Sequence, residues 1–343
     1  MTAHELELTA RALVAEGKGI LAADESTGTV TKRLEAIDTD STEEIRRTYR
    51  RMLVTAGAGG DIISGMIMYD ETIRQEDDDG TSFPQLLDQH GIIPGIKVDT
   101  GAKPLALSPD EKVTEGLDGL RDRLEEYVGL GARFAKWRAV INIDAENGLP
   151  TEYCRHVNAH ALARYAALCQ EAGLAPIVEP EVEIRGDHTI EKCREVTTAT
   201  LRTVFDELAA QRVDLRGMLL KPNMVISGKE SPEQASVEEV AEQTISTMRE
   251  VVPAAVPGIV FLSGGQGPER ATAHLNAMIN LGPHPWEVSF SYARALQDPA
   301  LETWRGQDEN IEPAQRAFYR RAQLIHAARL GEYSEDMEQE VAA

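Results

Sequence analysis

Cysteine is scarce in this sequence. Cys154, Cys169 and Cys193 are its only three, widely spaced, odd in number and outside any C-x-x-C pair. Neither a disulfide framework nor a thiolate metal site is expected, and the thiols are read as reduced and buried. No run approaches the ~18 consecutive apolar residues that span a bilayer. The opening stretch, MTAHELELTARALVAEGK, carries acidic residues where a secretory signal needs a basic start and an uninterrupted apolar run. A cytoplasmic protein with no membrane partner is the expectation. Basic residues are also outnumbered, 35 Lys and Arg against 57 Asp and Glu, for a formal charge of −22. That balance disfavours a nucleic-acid partner and sets a puzzle for any anionic substrate. Gly/Ser linkers and low-complexity tracts are missing, so nothing separates domains. There is no G-x-G-x-x-G after the first strand-like run, which argues against a doubly wound dinucleotide fold.

What the 343 residues do contain is one pattern from end to end. Short β-type runs stand at GILAAD (19–24), IISGMIMYD (62–70), IIPGIKVD (92–99), RFAKWRAVI (133–141), APIVEPEV (175–182), GMLLKPNMV (217–225), GIVFLSGG (258–265) and WEVSFSYAR (286–294). Amphipathic helical stretches such as 151–173 and 236–252 lie between them. Successive strands start roughly 25–45 residues apart, the spacing of a parallel strand followed by a crossover helix. The pattern predicts an α/β protein built as a single (β/α)₈ barrel domain over 1–343. The barrel itself is placed at about 17–300, with an extra N-terminal helix near 4–16 and a helical region from Pro313 to about Gly331. The acidic end, EYSEDMEQEVAA, has little to bury and reads as a mobile tail.

Each predicted strand ends in residues a core would not choose, and this fold places its active site at the C-terminal mouth of the barrel. The ends in order are Asp24, Tyr69 with Asp70, Lys97 with Asp99, Lys136 with Arg138, Glu179 with Glu181, Lys221, Ser263 with Gly264 and Gly265, and Ser291 with Arg294. Lys221 closes an apolar run and precedes Pro222, which holds it extended and removes a ladder donor. Dry surroundings and nearby positive charge, as from Lys136, favour a neutral amine able to add to a carbonyl. A lysine snorkelling at the rim is the plain alternative. Glu179 and Glu181 bracket Pro180 and face the same way. Close carboxylates do not both stay ionised cheaply, so one suits proton transfer. Asp24, in D-E-S-T-G, suits either action on a hydroxyl or helix capping.

Two anion sites follow. SGGQGPE (263–269) puts paired glycines ahead of a helix N-terminus, with Arg294 one strand later to close on a phosphate. Lys32 and Arg33, with Lys97 and Arg138, form the second. His156 and His160, four apart in HVNAH, share a helix face as two metal ligands would. No H-E-x-x-H accompanies them, so they are read as satisfied surface histidines and no metal is inferred.

The motifs LAADESTGT, GIKVDTG, FAKWRAV, IVEPEV, LLKPNMV, FLSGGQ and SFSYARALQ, in this order from about residue 19 to 297, closely resemble the class I, Schiff-base fructose-bisphosphate aldolases. The resemblance implies a (β/α)₈ barrel and reversible cleavage of fructose 1,6-bisphosphate to dihydroxyacetone phosphate and glyceraldehyde 3-phosphate. It implies no cofactor, since a lysine iminium is the electron sink a zinc ion would otherwise supply. By the same resemblance Lys221 is the Schiff-base lysine, Glu179 the proton acceptor and donor, and Asp24 the group acting on the C4 hydroxyl. Lys136, Arg138, Lys97, Arg33, Glu181, Ser263, Gly264, Gly265, Ser291 and Arg294 are implied to serve chemistry, substrate and phosphates. A homotetramer is implied as well. Animal members finish in a tyrosine that assists proton exchange, whereas this sequence ends Val341-Ala342-Ala343 and its last tyrosine is Tyr333, which leaves the donor to the enamine unassigned. Alternatives are another Schiff-base sugar-phosphate lyase, a zinc aldolase on the two histidines, or a non-catalytic sugar-phosphate-binding scaffold. The charge puzzle resolves if the mouth gathers the cations and the acid lies on outer helices and tail.

Overall fold

The structure is a computed structural model that describes residues 3–339. Its eight barrel strands are β1 (Gly19–Ala23), β2 (Ile63–Met68), β3 (Ile93–Lys97), β4 (Phe134–Ile141), β5 (Ala175–Val182), β6 (Leu219–Leu220), β7 (Gly258–Phe261) and β8 (Glu287–Tyr292). They pair in parallel and close in the ring order β1-β8-β7-β6-β5-β4-β3-β2. This is the predicted (β/α)₈ barrel, with a small antiparallel hairpin at 102–104 and 112–114 inserted before β4. Every strand lies about where the alternation placed it except β6, expected over 217–225 and paired at two residues only. The reason is Pro222, which has no N–H to give the ladder. Single bonds continue the line instead: Lys221 N donates to Val178 O (2.8 Å), and Leu262 N donates to Pro222 O (3.1 Å).

Three of the crossover helices start where the sequence supplies a capping oxygen. Thr151, Thr189 and Ser236 each accept from the N–H three residues on, opening Glu152–Ala172, Ile190–Ala210 and Val237–Val251. These crossover helices bury one face against the strands. The N-terminal helix, Ala3–Leu13, does something different: Leu6, Ala10 and Leu13 join Ile20, Ile67, Phe134, Ile177 and Val260 in a cluster that plugs the bottom of the barrel. At the other end of the chain Ile311–Arg329 packs on the helix Arg294–Trp304.

The tail expectation needs correcting. Tyr333 is buried, its hydroxyl donates to Glu338 (2.9 Å), and Glu338 pairs with the buried Arg321 at 2.8 Å. A buried guanidinium requires a counter-charge, and the acidic segment provides it. Residues 340–343, including Val341-Ala342-Ala343, lie outside the described residues.

Barrel closure depends on glycines that make room for one ring. Phe134 stands opposite Gly95 in the β3–β4 register, and a Cβ on Gly95 would sit 2.2 Å from the ring's Cζ. One on Gly65 would meet Leu13 at 2.5 Å and Phe134 at 3.1 Å. Gly95→Ala is therefore expected to destabilise the fold by about 1–3 kcal/mol through overpacking. A lowered urea midpoint, partly restored by adding Phe134→Leu, checks this; an unchanged midpoint refutes it.

Candidate active site

The barrel mouth encloses a cavity of about 340 Å³. Lys136 and Arg138, two apart on β4, point the same way, as do Glu179 and Glu181 on β5. Neighbouring strands then interleave opposite charges. Lys136 Nζ lies 2.6 Å from Asp24 Oδ2 at the end of β1 and 3.3 Å from Glu179 Oε2. The other carboxylate oxygen of Glu179 lies 3.2 Å from Lys221 Nζ. Lys136, Glu179 and Lys221 are 3%, 3% and 4% exposed, so the chain Asp24–Lys136–Glu179–Lys221 runs through a largely dry site.

Burial penalises the charge of Asp24, but attraction to Lys136, then to Lys221, outweighs it and holds the carboxyl at a pKa of about 2. Burial likewise opposes the charge on Lys136. Asp24, Glu179 and Asp99 overcome that cost and push its pKa far above the ordinary lysine range. Lys136 is thus a fixed ammonium and Asp24 a fixed carboxylate. Glu181 is engaged elsewhere, hydrogen-bonded to Arg138. The like-charge pairing expected of Glu179 and Glu181 is relieved because each has its own cation.

The groups expected to hold phosphates line the cavity on two sides of this centre. In the ring order, β7 and β8 stand opposite β3 and β4. On the first side Ser263, Gly264, Ser291 and Arg294 line the cavity. Gly264 (φ +59) and Gly265 (φ +91) take left-handed conformations, which favour glycine, just before the helix Pro268–Asn280. Gly265 does not line the cavity but packs against Arg294, whose Nη2 would be 3.0 Å from an added Cβ. The Ser291 hydroxyl is buried without a hydrogen-bond partner among the described residues. Arg294 is exposed and makes no ion pair among the described residues. An anion would satisfy both. On the second side stand Lys97 and Arg138, with Ser26 and Thr29 at the N-terminus of the helix Thr27–Glu35.

Several sequence expectations are redirected. Arg33 was expected at the second phosphate site, but it lies beyond the mouth, hydrogen-bonded to Gln297 (2.8 Å) and Asp298 (2.9 Å) and paired with Glu25. Nearly two turns past the helix start, it reaches sideways, and Lys32 is exposed and outside the lining. Ser26, the N-cap, and Thr29 on the first turn line the cavity there instead; Ser26 belongs to the D-E-S-T-G string, read for capping or for action on a hydroxyl by Asp24, and Thr29 follows it. Asp70 leaves the ring for Arg74 (2.9 Å) and Tyr127 (2.8 Å). Asp99, passed over for a role, accepts from Lys97 Nζ (2.8 Å), Gly101 N (3.1 Å) and Arg138 N (3.2 Å). It fixes the lysine beside the cavity. The mouth is not the positive focus expected either: Lys97, Lys136, Arg138, Lys221 and Arg294 are matched by Asp24, Glu25, Asp99, Glu179 and Glu181. Five against five still sets it apart from a chain of −22. His156 and His160 both turn Nδ1 toward Glu207, at 3.4 and 2.9 Å, and no group of three metal-binding side chains occurs among the described residues.

Comparison with known proteins points in one direction. A sequence model for the family "fructose-bisphosphate aldolase class-I" matches residues 5–343. A protein of Xanthomonas campestris pv. campestris, named "probable fructose-bisphosphate aldolase class 1", is 58% identical over 334 residues, 97% of this chain and 99% of its own. A Toxoplasma gondii protein, "fructose-bisphosphate aldolase 1", is 50% identical over 96% of this chain and 91% of its own. Among solved structures, the Plasmodium falciparum fructose-bisphosphate aldolase, described in a complex with TRAP and a small-molecule inhibitor, superposes with a TM-score of 0.94. It is 47% identical, covering 97% of this chain and 96% of that one.

Proposed function

This chain belongs to the class I fructose-bisphosphate aldolase family, a family of aldehyde-lyases, and on that premise we propose that Lys221, Glu179, Lys136 and Asp24 divide the catalytic work. The reaction is reversible cleavage of fructose 1,6-bisphosphate through a lysine Schiff base. Lys221 passes a proton to Glu179, 3.2 Å away, and its free amine adds to the C2 ketone. The nitrogen's surplus proton moves to the former carbonyl oxygen and Glu179 returns its own to the same oxygen; water leaves and an iminium remains. Asp24, ionised beside Lys136, takes the C4 hydroxyl proton. The C3–C4 bond breaks, its electrons flow into the iminium, and glyceraldehyde 3-phosphate departs from an enamine. Protonation at C3 and hydrolysis of the imine release dihydroxyacetone phosphate and regenerate Lys221.

Ring order also orients the substrate. C2 must meet Lys221 just past β6, so the phosphate on C1 falls to Ser263, Gly264, Ser291 and Arg294 at the ends of the neighbouring β7 and β8. The phosphate on C6 then reaches across to Lys97, Arg138, Ser26 and Thr29. The Lys136 ammonium, between Asp24 and Glu179, keeps both carboxylates ready to accept protons.

The observation that carries this reading is a buried lysine sharing a carboxylate with a second buried lysine. Borohydride reduction in the presence of dihydroxyacetone phosphate and a chelator, followed by peptide mass mapping, is expected to place a reduced adduct on Lys221. No adduct, or one on another lysine, overturns it. The chain is further read as one functional unit, cytoplasmic and homotetrameric as the family resemblance implies. Among the described residues, no helix is long and apolar enough to cross a membrane.

A further inference from the structure

The turn that presents Ser263 and Gly264 to the cavity is closed by Gln266 N, which donates to Ser263 O at 3.0 Å. The side chain of Gln266 points away from the cavity into the protein. Its Nε2 lies 3.4 Å from Met224 Sδ, and its Oε1 lies 2.6 Å from His274 Nδ1, two turns along the following helix. A thioether sulfur offers only lone pairs, so the amide must turn its N–H toward Met224 and its oxygen toward His274. An amide oxygen in turn only accepts. His274 therefore carries its proton on Nδ1 and donates it. The ring is fully buried, with Nε2 lacking any partner among the described residues, which suits a neutral imidazole bearing that single proton. Burial, reinforced by Arg270 and opposed by Glu238, pushes its pKa down to about 4.

We propose that His274 is a positioning residue for phosphate binding: through Gln266 it ties the Ser263–Gly265 turn to both the following helix and the segment just beyond Lys221. Met224 lies three residues after Lys221, and Leu262 N donates to Pro222 O (3.1 Å), so the turn is held from both flanks. His274 does not line the cavity. Its effect is to fix where the Ser263 hydroxyl and the glycine N–H groups stand before a phosphate arrives. The inference rests on the mouth being the bisphosphate site.

The test compares His274→Leu, which removes the donor, with His274→Asn, whose Nδ2 stands close to where Nδ1 stood. His274→Leu is expected to raise KM for fructose 1,6-bisphosphate about tenfold with kcat within about twofold, and to raise the inhibition constant of inorganic phosphate in parallel. His274→Asn is expected to restore both. Should His274→Leu fail to fold, Gln266→Met removes the acceptor from the other side and is expected to give the same rise in KM. Unchanged KM in whichever of these variants folds, or equal effects of Leu and Asn, would overturn the proposal. Schiff-base trapping on Lys221 should persist in every variant. Its absence in the unsubstituted enzyme would count against the catalytic assignment instead.

Discussion

Lys221→Met is expected to lower kcat/KM for fructose 1,6-bisphosphate by at least about 10⁴-fold while leaving the protein folded. Removing a covalent nucleophile takes away the whole lower-barrier route, not one stabilising contact, and comparable losses accompany nucleophile removal elsewhere. Methionine keeps the length and apolar stem of lysine in a site where Lys221 is 4% exposed. The usual hazard of deleting one member of a buried ion pair is a stranded charge. Here Glu179 retains Lys136 at 3.3 Å, so the fold should survive, and a circular dichroism melt within a few degrees of the parent checks it. Borohydride trapping should vanish together with turnover. Residual activity within about a hundredfold of the parent would assign the nucleophile to another lysine. Lys136 is the obvious rival, but its ammonium is locked by two carboxylates and is poorly suited to attack.

Much of this centre was legible beforehand because strand ends in a parallel barrel all face one mouth. Period-two alternation is a local rule, and it put Lys136 with Arg138 and Glu179 with Glu181 on shared faces without knowledge of any partner. Lys221 was legible for a second reason: a proline after an apolar run marks where the ladder stops. What local rules do not contain is which cation meets which anion. Arg33 is basic, on the right helix and next to the right loop, yet Glu25, Gln297 and Asp298 claim it. Two of those partners lie more than 260 residues away in sequence. The Gln266–His274 bond was hidden for the opposite reason. Both residues are close in sequence, but only tertiary packing turns Gln266 inward toward Met224. The tail misled because acidic composition was read as solvation, when one of its carboxylates answers the buried Arg321.

Net charge shows the same limit. A total of −22 is a sum over a surface, whereas binding depends on the few groups that remain unpaired near the ligand. In the mouth Lys97, Lys136, Arg138 and Lys221 each pair with a carboxylate, and Arg294 forms no ion pair among the described residues. The uncommitted capacity for a phosphate therefore lies with Arg294, the Ser291 hydroxyl and the glycine N–H groups, not with an excess of cations. Salt should accordingly weaken substrate binding less than a mouth full of unpaired lysines would suggest.

Asp24→Asn is expected to lower kcat/KM by about 10³-fold while leaving the reduced adduct on Lys221 intact. Asparagine keeps the shape but cannot take the C4 proton, and the Lys221–Glu179 pair proposed to form the Schiff base is a direct contact that does not pass through Asp24. The stability effect has a definite sign. The carboxyl has a pKa of about 2 in the folded protein against 3.8 as its reference value, so the unfolded chain binds more protons between those pH values. Its contribution is complete above about pH 4 and is lost as pH falls through 2. At neutral pH the substitution should therefore cost about 2 kcal/mol, seen as a lowered urea midpoint. The activity profile separates the roles further. A carboxylate that stays ionised down to about pH 2 cannot produce an acid limb above pH 4, so any such limb in kcat/KM belongs to another group and must persist in Asp24→Asn. If that limb disappears, Asp24 titrates higher than its ion pair with Lys136 allows. If instead turnover falls less than about tenfold, Glu179 takes the C4 proton and Asp24 serves chiefly to hold Lys136 in place.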